Sequence, residues 1–170
     1  GFLSEISTLD LSGNPDIGPG IHKVLNSLEG KSVTSLDLTG CQLPDAVSGQ
    51  IAVMVKEDNK SAFSKSIVSL ALDSSGSDQR VKFSLNANDT VLDVGNCNLG
   101  PEDANLVAAW LEKQAVIDRL KTAKIHSNPN IGAGSKRGVL HLVDAMRHIP
   151  LTELDATGCG LENAAAEFSK

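Results

Sequence analysis

Apolar residues along the chain arrive in short alternating bursts, separated by longer stretches with helical spacing. Ile6, Leu9 and Leu11 lead to Asn14, and the same spacing returns at Val33, Leu36, Leu38 and Cys41, and again at Leu151, Leu154, Ala156 and Cys159. Weaker copies run Ile67, Leu70, Leu72 to Ser75; Leu92, Val94 to Cys97; and Leu120, Ala123, Ile125 to Asn128. The LxL core of each copy alternates at a period of two, which predicts a short strand with one buried face. Between the strands the spacing changes to three and four. Ile21, Val24, Leu25 and Leu28 follow Gly18-Pro19-Gly20, and Val47, Ile51, Met54 and Val55 follow Pro44-Asp45. Ala104, Val107, Ala108 and Leu111 follow Pro101-Glu102-Asp103, and Val139, Leu140, Val143 and Met146 follow a Gly-rich turn. These stretches predict amphipathic helices with start signals; Ala165 and Phe168 suggest a further one.

Six copies of one motif, LxxLxLxxN/C, therefore organise the chain. Their turn residues Asn14, Cys41, Ser75, Cys97, Asn128 and Cys159 are 27, 34, 22, 31 and 31 positions apart. The copies alternate in kind: Asn14 and Asn128 are followed by Pro and place the next apolar residue three on, whereas Cys41, Cys97 and Cys159 place it two on. The pattern resembles the leucine-rich repeats of the ribonuclease-inhibitor-like, long and helix-containing type, and the resemblance covers nearly all of residues 1–170 as one domain. It implies an α/β fold, a leucine-rich repeat solenoid wound as a right-handed horseshoe, with a parallel inner sheet, outer helices and about six repeats. Stacked strands would line the core with a ladder of Leu, Val and Ile, and an inward Asn or a small Cys would close each turn on unpaired backbone groups.

The third repeat departs from the pattern. From Ser75 to Leu92 there is no helical spacing; instead Val81, Phe83 and Leu85 alternate with polar neighbours, which predicts an extra strand. The second repeat is stretched by the polar run from Lys56 to Lys65. Irregularity in an otherwise consistent repeat marks either drift or an interaction site, and Arg80, Lys82 and Phe83 are the candidate partner-binding residues of this insertion. No polar capping unit precedes the first strand, and the sixth helix would end at Lys170 after barely two turns. A solenoid covers its end edges. The expectation is a fragment of a longer protein, or a chain that associates end to end.

On the strands, the position between the two inner apolar residues faces solvent on the concave side and reads Asp10, Asp37, Ala71, Asp93, Lys124, Asp155. Two positions on come Ser12, Thr39, Asp73, Gly95, His126 and Thr157. Asp10, Asp37, Asp73, Asp93, His126 and Asp155 are the candidate partner-binding residues of the concave face. Strands about 4.8 Å apart bring like charges together, a stripe that suits a basic partner and equally an ordinary solvated face. Asp93 beside Lys124 predicts an exposed opposite-charge pair.

Enzymatic chemistry finds little here. His126 near Asp93 or Asp155 has no Ser or Cys nucleophile at a strained turn beside it. Gly132 to Gly138 suggests a phosphate loop only superficially, because Ser135 precedes Lys136 and Arg137 follows it, whereas GxxxxGK[ST] needs Gly before the Lys and a hydroxyl after. His141 and His148 are seven apart without a carboxylate at metal-ligand spacing. No cofactor or metal is expected. Trp110 adjoins the inward Leu111 and could pack under a helix or stand exposed.

Composition narrows the partner. With 15 Lys+Arg against 21 Asp+Glu the net charge is -6, which disfavours nucleic acid and anionic membrane surfaces. No apolar run approaches the roughly 18 residues of a membrane span, and no basic-then-apolar leader opens the chain. Three widely spaced cysteines form no disulfide framework and suit a reducing, cytoplasmic compartment; the sequons at Asn59 and Asn88 weakly oppose it. The expected function is a non-enzymatic scaffold that binds a protein partner on the acidic concave surface or the middle insertion. Alternatives are a regulatory accessory resembling long-repeat GTPase activators, with Arg80, Lys82 or Arg137 as the donated residue, and a self-assembling structural segment.

Overall fold

The computed structural model describes residues 6–56, 58, 60–76, 79–132 and 137–160. The fold is mixed α/β. Seven short strands form two small sheets: β1 (Thr8–Asp10), β2 (Ser35–Asp37), β3 (Ser69–Asp73) and β4 (Lys82–Asn86) in one, β5 (Val91–Asp93), β6 (Thr122–Lys124) and β7 (Glu153–Asp155) in the other. Helices α1 (Ile21–Leu28), α2 (Ala46–Val55), α3 (Ala62–Ser66), α4 (Pro101–Leu111), α5 (Gln114–Ile117) and α6 (Arg137–Arg147) fall between the strands. The helix suggested at Ala165 and Phe168, and most of the Gly-rich turn before α6, lie outside the described residues.

Equivalent motif positions pair in register. Leu9, Leu36 and Leu70 stand side by side in parallel strands, and Leu92, Ala123 and Leu154 do so in the second sheet. Leu36, Leu70, Leu72 and Leu85 are almost wholly buried, each contributing about 1.5–3 kcal/mol relative to exposure. The expectation of one continuous parallel sheet needs correction. The predicted extra strand, β4, pairs antiparallel with β3 over five residue pairs, and β5 turns away to pair with β6 alone. The turn carries the reason: Ala87 N–H donates to Val68, Asp89 N–H donates back to Asn86, and Lys121 and Thr122 donate to the Thr90 carbonyl. β5 is thus committed to β6 before it can reach β4.

The alternation of Asn-type and Cys-type copies has a conformational cause. One residue before the turn residue, the backbone is left-handed in five copies: Gly13, Gly40, Asn96, Ser127 and Gly158 all have φ between 54 and 70°. Glycine adopts this region without a Cβ penalty, and Asn tolerates it. After the Cys a second left-handed residue follows, Gln42, Asn98 or Gly160, and the chain swings inward at once. After the Asn comes Pro15 or Pro129, whose fixed negative φ starts a 3-10 turn instead, Pro15–Gly20 or Pro129–Gly132. The extra residue of that turn is the three-residue spacing seen in the sequence.

Helices α2, α4 and α6 pack in that order, so the helix following β2 meets the helix following β5 directly. α4 is correspondingly buried on nearly all sides, with Ala104, Leu106, Val107, Ala108, Ala109, Trp110 and Leu111 all in the core. This corrects the expectation of an amphipathic outer helix and settles Trp110 as a core residue, 1% exposed. Gly49 and Gly138 permit the close packing: a Cβ on Gly49 would collide with the Glu102 side chain, and one on Gly138 with the Pro101 carbonyl.

Candidate partner-binding face

Alternation buries the middle residue of β2, β5 and β6 and leaves its neighbours toward solvent, while Leu9 of β1 is half-buried and Leu154 of β7 is exposed. Asp10, Asp37, Ala71 and Ser84 line up across the first sheet, and Asp93, Lys124 and Asp155 across the second. The expected row therefore exists, divided between two sheets and interrupted by Ser84 of the inserted strand.

The recurrence of Asp has a local cause. Asp10 Oδ1 accepts from Ser12 N–H at 2.9 Å, Asp37 Oδ1 from Thr39 N–H at 2.9 Å and Thr39 Oγ1 at 2.7 Å, and Asp93 Oδ1 from Gly95 N–H at 3.1 Å. Asp155 Oδ1 accepts from Thr157 N–H at 3.1 Å and Thr157 Oγ1 at 2.8 Å. Each carboxylate closes the turn that follows its strand, a role Asp performs well because its short side chain reaches the backbone two residues on. The bonds favour the charged form: the Ser12 hydroxyl and N–H hold the Asp10 carboxyl below its ordinary value, and the Thr157 N–H and hydroxyl do the same for Asp155, helped by His126 and Lys124. In each acid it is Oδ1 that is occupied in this way. The Asp93–Lys124 neighbours stand in register without closing to an ion pair among the described residues.

Asp73 and Lys82 join the two predicted groups. In regular copies a turn N–H donates to the next copy's backbone, as Gly13 does to Thr39 and Ser127 to Thr157. Gly40 N–H instead donates to Asp73 Oδ2 at 2.7 Å, so a side chain replaces the missing backbone acceptor. Lys82 pairs in register with Asp73 and carries its ammonium to 3.7 Å from Asp37 Oδ2, across a strand whose intervening residue is Ala71. The Asp10–Asp37 repulsion is thereby relieved from the insertion. His126 packs its ring where a side chain on Gly95 would have to go, which explains a bare residue in that row.

Phe83 needs correction as a surface contact, whereas Arg80 is exposed. Phe83 opposes Leu72 and is 3% exposed, because the alternation that identified the strand also turns Phe83 into the core. Arg80 donates to Asp45 at 2.8 Å and is held on the strand-exit loops. Of the histidines, His141 bonds Glu112 at 2.9 Å and His148 is exposed. Cys41 and Cys97 are free thiols, and burial pushes both above the ordinary thiol range. The thiolate is the nucleophile, so these two are poor ones. Among the described residues no group of three His, Cys, Asp or Glu converges as a metal set.

The turn residues do what their types suggest. Asn128 is fully buried; its Nδ2 donates to the carbonyls of Val94, Ile125 and His126, and its Oδ1 accepts from Leu99 N–H at 2.9 Å. Cys41 and Cys159 point their thiols at the Leu11 and Ile125 carbonyls. Asp103 is the residue that motif reasoning missed. Fully buried, it accepts from Ser48 Oγ at 2.6 Å, from Ser75 N–H at 2.6 Å and Oγ at 2.8 Å, and from Gly100 N–H at 2.9 Å. The one available signal was its place three residues after Gly100 at a helix start.

Family models, curated proteins and solved structures were all compared with the chain. None matches it. The face must be judged on its own geometry: shallow, polar, built from six acids (Asp10, Asp37, Asp73, Asp93, Glu153 and Asp155) against Lys82, Lys124 and His126, and stiffened by side-chain-closed turns.

Proposed function

We propose that the chain is a leucine-rich repeat solenoid of the ribonuclease-inhibitor-like type, acting without catalysis as a scaffold whose strand face binds a basic protein partner. The observation that carries this is the recurrence of one strand, one left-handed turn position and one Asp-closed exit at equivalent motif positions, which sets a row of aspartates along the strand ends. Stacked repeats of this kind present extended surfaces to macromolecules. Three widely spaced cysteines, an odd number that builds no disulfide framework, support the reading of a reducing, cytoplasmic compartment; no helix among the described residues is long and apolar enough to cross a membrane.

The test is an NMR titration of the labelled chain with a Lys/Arg-rich peptide and an acidic peptide of equal length. Saturable shifts confined to strand and strand-exit residues are expected with the basic peptide alone. Changing Asp10, Asp37, Asp93 and Asp155 together to Asn keeps the turn acceptors and removes the charge, and should weaken binding about tenfold or more at low salt. Shifts on the helices, or equal binding of the acidic peptide, would overturn the proposal.

A further inference from the structure

Where β4 and β5 part, a slot of about 150 Å³ opens from the strand face into the core. Its walls are apolar and buried: Leu92 of β5, Trp110 and Leu111 at the end of α4, Val116 of α5, and Leu120. Its mouth is exposed and mostly polar, with Ser84 and Asn86 from β4, Asp89 from the turn, and Asp93 beside the apolar Val91 from β5; no Lys or Arg lines it. The volume is that of a cavity able to hold one benzene ring.

Resting on the partner-binding function proposed above, we infer that this slot receives a single large apolar side chain from the partner, carried on a segment whose flanking residues are Lys or Arg. The direction of entry decides the chemistry. A side chain enters tip first, so a Lys or Arg tip would reach the Leu and Trp floor and lose its hydration without a counter-charge. An apolar tip fills that floor, while basic neighbours in the partner's sequence remain at the mouth beside Asp89 and Asp93. Asp93 is exposed at the mouth, and Gly95 N–H holds its Oδ1 in place. An anchor in a desolvated pocket, ringed by complementary charge, is the arrangement by which few residues supply most of an interface's affinity. It also gives the irregular middle a use: the inserted strand creates the gap that a continuous sheet would close.

The probe is a blocked peptide, Lys-Lys-Phe-Lys-Lys, followed through the chain's single tryptophan, Trp110, which lines the slot. A saturable emission shift is expected, with the Ala-centred peptide binding about tenfold or more weakly, as loss of one buried ring requires. Ser84→Phe plugs the mouth from an exposed position and should abolish the difference, so that the Phe and Ala peptides bind the variant equally. Equal binding of both peptides to the strand face would overturn the slot and leave the acidic face standing. Absence of any binding to that face would overturn both, and equal binding of Glu-Glu-Phe-Glu-Glu would overturn the role of the mouth acids. Should Ser84→Phe not fold, as seen by circular dichroism, the peptide pair decides alone.

Discussion

The regular turns and the third turn solve one problem in two ways. At Asn128 the turn closes with a neutral amide that serves carbonyls of its own copy and of the one before, plus one N–H. At Ser75 the residue in the same slot is too short for that. Asp103 enters from the following helix and accepts from Ser75, Gly100 and Ser48, while Asp73 takes the Gly40 N–H. Backbone groups that leave a strand in the interior must be paired wherever the repeat lapses, and a carboxylate from elsewhere substitutes for repetition. Its charge is tolerated because four donors surround it.

This contrast can be broken experimentally. Asp103→Ala strands the Ser75 and Gly100 N–H groups and the Ser48 hydroxyl in the core, and should lower stability by about 3–5 kcal/mol in urea denaturation. A loss below about 1 kcal/mol would mean that the third turn does not depend on it. Asn128→Ala should cost about 2–3 kcal/mol, whereas Asn14→Ala, in an exposed turn of the same type, should cost less than about 1. Equal losses would show that burial does not set the value of the amide. The smallest effect concerns pH. The folded values of Asp10 and Asp155 are lowered, so their contribution is complete above the ordinary carboxylate value of about 4 and is lost as pH falls through the folded values. Asp155→Asn should flatten the acid limb of stability against pH; an unchanged limb would remove the turn bonds as its cause.

Much of the frame was legible because its signals are local. The LxL bursts fixed strand positions and register, and the two spacings after Asn and Cys translated into a 3-10 turn and a left-handed step. Asp73, Lys82 and Asp37 were each singled out, but their meeting depends on an antiparallel pairing that no single segment encodes. Asp103 lay further out of reach, since its partners Ser75 and Ser48 are 28 and 55 residues away and belong to other copies. Phe83 was misassigned for a different reason. The alternation that identified the strand also marked Phe83 as part of its apolar, inward face, and only the irregularity of the insertion argued for a surface contact.

The pairing of α2 with α4 has a geometric consequence. Around the third segment the strand layer gains β4, about 4.8 Å of width, while the helix layer there holds no long helix and forgoes about 8–10 Å. The two panels of strands, β1-β2-β3-β4 and β5-β6-β7, are therefore backed by helices that pack without interruption across the gap between them.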